Sequence, residues 1–267
     1  NNTLNQGLHG LCFGAYAKGQ NIGDQISQEQ ITRRINIIAP HTTWVRSFSC
    51  SEGHEYIPVA AKTKDLKTMV GAWISGDKRK NDVEIQNLIQ LGKNGLVDIA
   101  VVGNEVLLRN ELSEEELLDY IYQIKRELPG IPVGYVDAYY QFHERPKVAE
   151  ACDVILANCY PFWEGYSIVK ATAYLTQMYD VAKNAAKGKH VIITETGWPN
   201  AGENFDQAIP SEGNSMQYFV NTQTWANTNH IDLFHFSSFD ESWKVNEEGN
   251  VGDQWGLWDQ NEKLKYQ

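Results

Sequence analysis

Eight short runs of strand-forming residues recur along the chain, and stretches of helical periodicity lie between most of them. The runs are HGLCFGAY from His9, TWVRSF from Thr43, KTMVGAWI from Lys67, DIAVVGNE from Asp98, PVGYVDA from Pro132, DVILANCY from Asp153, HVIITE from His190 and DLFHFSSF from Asp232. Strand alternating with helix is the pattern of a parallel sheet with crossover helices, and eight is the number that closes such a sheet into a barrel. A doubly wound open sheet is the competing architecture. The glycine-rich GAYAKGQNIGD after the first run speaks against it, because it matches neither G-x-G-x-x-G nor G-x-x-x-x-G-K-[ST]. The expected fold is therefore an α/β (β/α)8 TIM barrel, with residues 1–267 as one domain.

Two connecting helices announce their starts. In Ile26-Ser27-x-x-Gln30-Ile31, Ser27 is the expected N-cap, Gln30 reaches back to it and Ile26 packs on Ile31. Ile35 and Ile38 extend that apolar face until Pro40 stops it. Leu112-Ser113-x-x-Glu116-Leu117 repeats the device, and Ile121, Ile124 and Leu128 continue the stripe to Pro129. Segments 81–92, 167–187 and 213–227 also carry helical spacing, while the pieces after the second and fifth runs are shorter and proline-marked. The tail beyond the eighth run offers no capped helix of ordinary length, so the eighth helix is expected to be reduced.

Charge narrows the partners. With 23 Lys+Arg against 34 Asp+Glu the net charge is −11, a field that repels nucleic acid, anionic membrane and polyanionic substrates and suits a neutral one. No apolar run approaches the ~18 residues of a membrane span, and the first residues carry no basic region followed by an apolar one. We expect no membrane insertion, a monomer, and an export signal already removed from a secreted, periplasmic or cell-surface protein. Cys12, Cys50, Cys152 and Cys159 show neither C-x-x-C spacing nor the density of a disulfide scaffold, and are read as buried thiols.

A barrel places its site at the carboxyl ends of its strands. The residues there are Tyr16, Arg46, Ser49, Trp73, Asn104, Glu105, Asp137, Tyr139, Tyr140, Tyr160, Trp163, Glu195, Trp198 and the stretch Phe239–Lys244. Glu105 and Glu195 end the fourth and seventh runs, which face each other across an eight-stranded barrel. Cleaving a glycosidic bond asks for such a pair: an acid for the leaving oxygen and a carboxylate for the oxocarbenium-like carbon. The flat faces of pyranose rings pack on Trp and Tyr, whose polar tips reach hydroxyls. A single strand-end glutamate is more often solvated or an arginine's partner; the opposed pair is what singles these two out.

Other chemistries lack their motifs. No H-E-x-x-H is present, His54-Glu55 and His143-Glu144 lack a second histidine, and Asp240-Glu241 has no cation-loop pattern around it, so neither metal nor cofactor is expected. No G-x-S-x-G elbow occurs. His235 is read as a satisfied core residue, and Glu114-Glu115-Glu116 as a helix first turn favoured by the macrodipole.

VVGNEV (101–106), ANCYPFWEG (157–165), ITETGWPNAG (193–202), FDESWK (239–244) and WGLWD (255–259) together resemble glycoside hydrolase family 17, the β-1,3-glucanases and β-1,3-glucanosyltransferases. The resemblance runs from the first strand to the tail, and the forms of ANCYPFWEG and FDESWK look closer to fungal and bacterial members than to plant ones. It implies a retaining mechanism with Glu105 as acid/base and Glu195 as nucleophile, their carboxyl groups about 5–5.5 Å apart. It also implies that Asn104 meets the 2-hydroxyl of the reacting sugar and that Tyr160 orients Glu195. Glu241 and Lys244 would shape the subsite, Lys244 helping to keep Glu195 ionised, and Trp163, Trp198 and Trp243 are candidate sugar contacts. One departure is that Phe13 stands where the family commonly has tyrosine, so a substrate hydroxyl contact is missing or supplied by Tyr16. The implied activity is endo-hydrolysis of laminarin-like β-1,3-glucan; the alternatives are glucanosyl transfer with the same pair, and glucan binding without catalysis.

Overall fold

Each of the eight runs forms a strand, and all but the fifth and seventh stop short of the run's last residues, which bend into the rim loops. The computed structural model describes residues 2–266. Its strands are β1 (Leu8–Cys12), β2 (Thr42–Arg46), β3 (Lys67–Ala72), β4 (Ile99–Asn104), β5 (Val133–Ala138), β6 (Ile155–Asn158), β7 (Val191–Thr196) and β8 (Leu233–His235). They are parallel and close in chain order, β8 pairing with β1.

The helices are α1 (Asn2–Asn5), α2 (Gln28–Ile38), α3 (Tyr56–Lys62), α4 (Lys78–Lys93), α5 (Glu114–Glu127), α6 (Gln141–Glu144), α7 (Pro146–Ala151), α8 (Ile168–Ala185), α9 (Glu212–Asn229) and α10 (Val245–Glu248). The pieces after β2 and β5 are short, as the prolines require, and the helix after β8 is the single turn of α10 between two 3-10 turns. Ser113 and Glu116 form the complete reciprocal cap of α5. At α2 only half of the expected device forms. Ser27 accepts from the Gln30 N–H, but the Gln30 amide turns away to the Ala15 carbonyl at 2.8 Å and to Gln20, because a buried amide needs acceptors and the β1 loop supplies them.

Period-two alternation divides the strand residues between two apolar layers. Met69, Val101, Val136, Leu156, Ile192 and Phe234 fill the barrel interior, while Val70, Ala100, Val102, Tyr135 and Ile193 face the helices. Strict alternation from Ile192 through Thr194 would send Glu195 outward, and from Val102 would do the same to Asn104. Register shifts prevent this, one between Val101 and Asn104 against β5 and others on both sides of β7. A bulge-type irregularity re-aims the side chains beyond it. Both strands that carry the candidate pair are thus broken in register just below the rim.

His235 lies in the core against the Phe219 ring at 4.9 Å, but it is not satisfied as expected: its Nδ1 has no partner among the described residues. Burial lowers its pKa to about 3, so the ring stays neutral. All four cysteines are buried free thiols. No described helix is long and apolar enough to cross a membrane.

The interior tolerates no extra volume at β1. A Cβ on Gly10 would stand 2.4 Å from Phe234 Cδ1. Gly10→Ala is expected to lower stability by about 1–3 kcal/mol, read from the urea midpoint at unchanged slope.

Candidate active site

Glu195 ends a buried strand with almost no exposure, and its carboxylate is held by two donors. Arg46, projecting inward from β2, places its Nη1 at 2.5 Å from Oε1, and the Tyr160 hydroxyl donates to Oε2 at 2.7 Å. The same guanidinium donates through Nη2 to Asn104 Oδ1 at 2.8 Å and packs at 4.2 Å over the Phe48 ring. One buried arginine therefore joins the ends of β2, β4 and β7. Burial beside the Glu195 charge pushes the Tyr160 phenol well above its ordinary range, so it remains a donor.

Glu105 follows β4 in a left-handed conformation with φ 54°, set after Gly103 at φ 84°. Its N–H donates to the Val136 carbonyl at 2.8 Å. The Asn158 amide donates to its Oε1 at 2.9 Å, and Asn158 Oδ1 in turn accepts from Thr194 Oγ1. Arg109 is 4.0 Å from its other oxygen. Unlike Glu195, this carboxyl faces the opening, with about 26% of the side chain exposed. Burial, then the charge of Glu195 opposite, pushes its pKa up to about 7.

Both carboxyls line one open cleft of about 330 Å³, walled by Leu108, Tyr139, Tyr140, Asn158, Tyr160, Trp163, Glu164, Phe236 and Glu248. Its floor is an aromatic lattice in which Tyr160, Phe236 and Trp163 each lie within 6 Å, centroid to centroid, of the Trp255 ring. Glu248, from α10, receives the Trp255 indole N–H at 2.8 Å, and burial pushes its pKa up to about 7.

Of the nine predicted site residues, Glu105, Glu195, Tyr160 and Trp163 line this cleft, with Asn104 beneath it on Arg46. Trp198 does not. It is 1% exposed, packs edge-on against Phe162 and commits its indole N–H to the Ile209 carbonyl, so no face is open to a sugar. Trp243 is likewise off the cleft, T-shaped against Tyr16 at 5.8 Å. Glu241 and Lys244 pair with each other at 2.8 Å, and Glu241 also receives the Tyr16 N–H. Lys244 Nζ lies 4.3 Å from the Phe236 ring, one layer below the cleft, and the direct cationic partner of Glu195 is Arg46 instead. Phe13 packs on Phe239, and the Tyr16 hydroxyl meets the Gly23 backbone, so neither faces the cleft. Glu248 carried no motif that marked it, and Asn158 lay inside ANCYPFWEG without being singled out; Arg46 was visible only as a rim residue, because an arginine ending a strand reads the same whether it faces solvent or a buried carboxylate.

Residues 10–256 match the BtgE/BtgC glycoside hydrolase domain family. A glucan 1,3-beta-glucosidase of Arthroderma benhamiae is 26% identical over 90% of this chain and 84% of that protein. The glycoside hydrolase family 17 beta-1,3-glucanosyltransferase of Rhizomucor miehei superposes with TM-score 0.88 at 29% identity, covering 98% of this chain and 97% of that one; it has also been solved as an active-site mutant in complex with laminaritriose. An endo-laminarinase of Formosa Hel1_33_131 shares the fold, with TM-score 0.85 at 20% identity over 98% of this chain and 86% of that one.

Glu105 makes stability pH-dependent in a definite sense. With a pKa of about 7 in the fold against an ordinary 4.5, its contribution is complete below about pH 4.5 and is lost as pH rises through 7. Glu105→Gln, which cannot ionise, should therefore melt a few degrees above wild type near pH 8, with the gap closing toward pH 5. Thermal unfolding followed by circular dichroism checks this, and a gap independent of pH would contradict the electrostatic account.

Proposed function

From the family to which this chain belongs, the BtgE/BtgC glycoside hydrolases, within glycoside hydrolase family 17, we propose that it is a retaining endo-β-1,3-glucanase acting on laminarin-like glucan. The observation that carries the reading is the pair of carboxyls on β4 and β7, one clamped by an arginine and a tyrosine, the other raised to a pKa of about 7.

Each step follows from those surroundings. One oxygen of the Glu195 carboxylate attacks the anomeric carbon as the glycosidic bond breaks, and the departing oxygen takes the proton of Glu105. Arg46 and Tyr160 hold the nucleophile to a single pose. In the resulting ester the negative charge of Glu195 is gone. The proton affinity of Glu105 falls with it, and the same group becomes the base for the incoming hydroxyl. Attack by that hydroxyl breaks the ester, returns the carboxylate and reprotonates Glu105. In this reading Asn104, whose oxygen is occupied by Arg46, offers its amide N–H to the 2-hydroxyl. Trp163 and the half-buried Tyr139 and Tyr140 supply flat surfaces along the cleft for neutral sugar rings. A cleft open to solvent admits the middle of a long chain, and a polysaccharide substrate places the enzyme outside the cytosol.

The second reading is a β-1,3-glucanosyltransferase, favoured by the similarity over nearly the full chain to the Rhizomucor miehei enzyme. It differs only in whether a sugar hydroxyl or water resolves the ester. Time-resolved analysis of laminari-oligosaccharide products separates the two: early products longer than the substrate would overturn the hydrolase reading. In either case Glu105→Gln should lower kcat on laminarin by about 10²–10⁴-fold. A 2-fluoro glucosyl donor should leave its label on the peptide carrying Glu195, and a label elsewhere would refute the assignment of the nucleophile.

A further inference from the structure

The turn that carries Glu105 is held from behind by two side chains that never reach the cleft. Tyr135 and Asp137 lie on β5, 1% and 0% exposed, and both sit under the loop that follows Glu105. The backbone N–H of Leu107 donates to the Tyr135 hydroxyl at 3.0 Å. That hydroxyl donates to Asp137 Oδ2, while Asp137 Oδ1 accepts the Ala138 N–H at 2.8 Å and the carboxyl also takes the backbone N–H of Leu108. The carboxylate makes no salt bridge among the described residues; its partners are the phenol and backbone N–H groups.

A buried carboxylate without a cationic partner is costly, and the core offers no packing reason for it. Apart from the Ala138 N–H on its own strand, its hydrogen bonds lead to the turn after Glu105. Glu105 sits in left-handed backbone, which costs about 1–2 kcal/mol for a non-glycine residue and persists only where its surroundings over-determine it. The Glu105 N–H to Val136 fixes the entry to the turn, and Tyr135 with Asp137 fixes the next two peptide units on its exit. The Asn158 amide then fixes the carboxyl itself. The Arg109 N–H to the Glu105 carbonyl and the Glu111 N–H to the Val106 carbonyl close the turn, but the side chains that reach its exit N–H groups are those of this pair.

We propose that Tyr135 and Asp137 are a positioning pair that holds Glu105 in the pose from which it delivers its proton to the leaving oxygen. The inference rests on the role of proton donor assigned to Glu105 above. It separates from a purely structural anchor because a mispositioned acid harms only reactions that need the acid. Glucan leaving groups are poor and must be protonated, whereas 2,4-dinitrophenolate departs unaided.

Tyr135→Phe removes only the hydroxyl and keeps the ring in its cluster beside Phe142. On laminari-oligosaccharides its kcat should fall on the order of tenfold to a hundredfold with KM little changed. On 2,4-dinitrophenyl β-laminaribioside, kcat/KM, which reports formation of the ester, should stay within about twofold of wild type. Asp137→Asn, which keeps volume and loses an acceptor, should give the same contrast and serves if the first variant does not fold. Equal losses on the two substrates, no loss on either, or a rise in KM alone would overturn the pair's positioning role. Glu105→Gln, run alongside, tests the premise separately. If it too fails to distinguish the substrates, the acid assignment itself is wrong; if it distinguishes them and Tyr135→Phe does not, only the positioning inference falls.

Discussion

The upper layer of this barrel depends on one buried ion pair. Arg46 and Glu195 meet at 2.5 Å in an interior that removes nearly all water from both. Taking two charges out of water costs several kcal/mol per ion, and close contact repays it only when the remaining donors and acceptors are also occupied. Here Asn104, Tyr160 and the Thr194 carbonyl occupy most of them, and the Phe48 ring covers the face of the guanidinium. The contacts span β2, β4, β7 and the β6 loop, so the polar layer ties together the elements that carry the candidate pair. Deleting either charge would strand the other in apolar surroundings, a loss of about 3–5 kcal/mol.

Two glutamates with the same intrinsic acidity are thereby given different work. Glu195 sits among donors and Glu105 sits nearer the opening, with desolvation and a negative neighbour acting on it. Neither position is a property of the residue type. Each follows from a register shift that turns a strand end inward and from the element standing opposite. The aromatic floor of Tyr160, Phe236, Trp163 and Trp255 supports this arrangement as well as facing substrate, since Tyr160 belongs to the lattice and to the clamp on Glu195 at once.

Much of this was legible before any coordinates, for physical reasons that also mark where legibility ends. Apolar runs of period two, capping residues and prolines are local signals, and they located the eight strands, the cap of α5 and the reduced final helix. Glu105 and Glu195 stood out because they end the fourth and seventh apolar runs, which face each other across an eight-stranded barrel. Trp198 was misjudged since an indole after a catalytic strand reads alike whether it faces a ligand or the core; its partner, the Ile209 carbonyl, lies on a loop that local pattern does not place. Arg46 rather than Lys244 is the cation in direct contact with Glu195, which sequence could not tell because the distance of a cation from a carboxylate is a tertiary quantity. The turn of Gln30 toward Ala15 was invisible for the same reason: the competing acceptor comes from another element.

β8 is the least secured stave of the ring. It is three residues long, in register with β1 only at Gly10↔Phe234 and Leu11↔His235, and with β7 only at Ile193↔Leu233 and Thr196↔His235. The segment after α10 returns over this seam: Leu257 and Trp258 donate to the carbonyls of Ser237 and Ser238, Lys265 pairs with Asp240, and Glu262 meets Arg33 and Arg34 of α2. Such a seam is where breathing concentrates, because few ladder bonds must break together for it to part. β7, which carries Glu195, borders this seam, and Thr196, one residue further on, is the partner of His235. The returning segment, fastened to Ser237, Ser238, Asp240 and α2, thus braces the ring where its ladder is thinnest, next to the strand that holds Glu195.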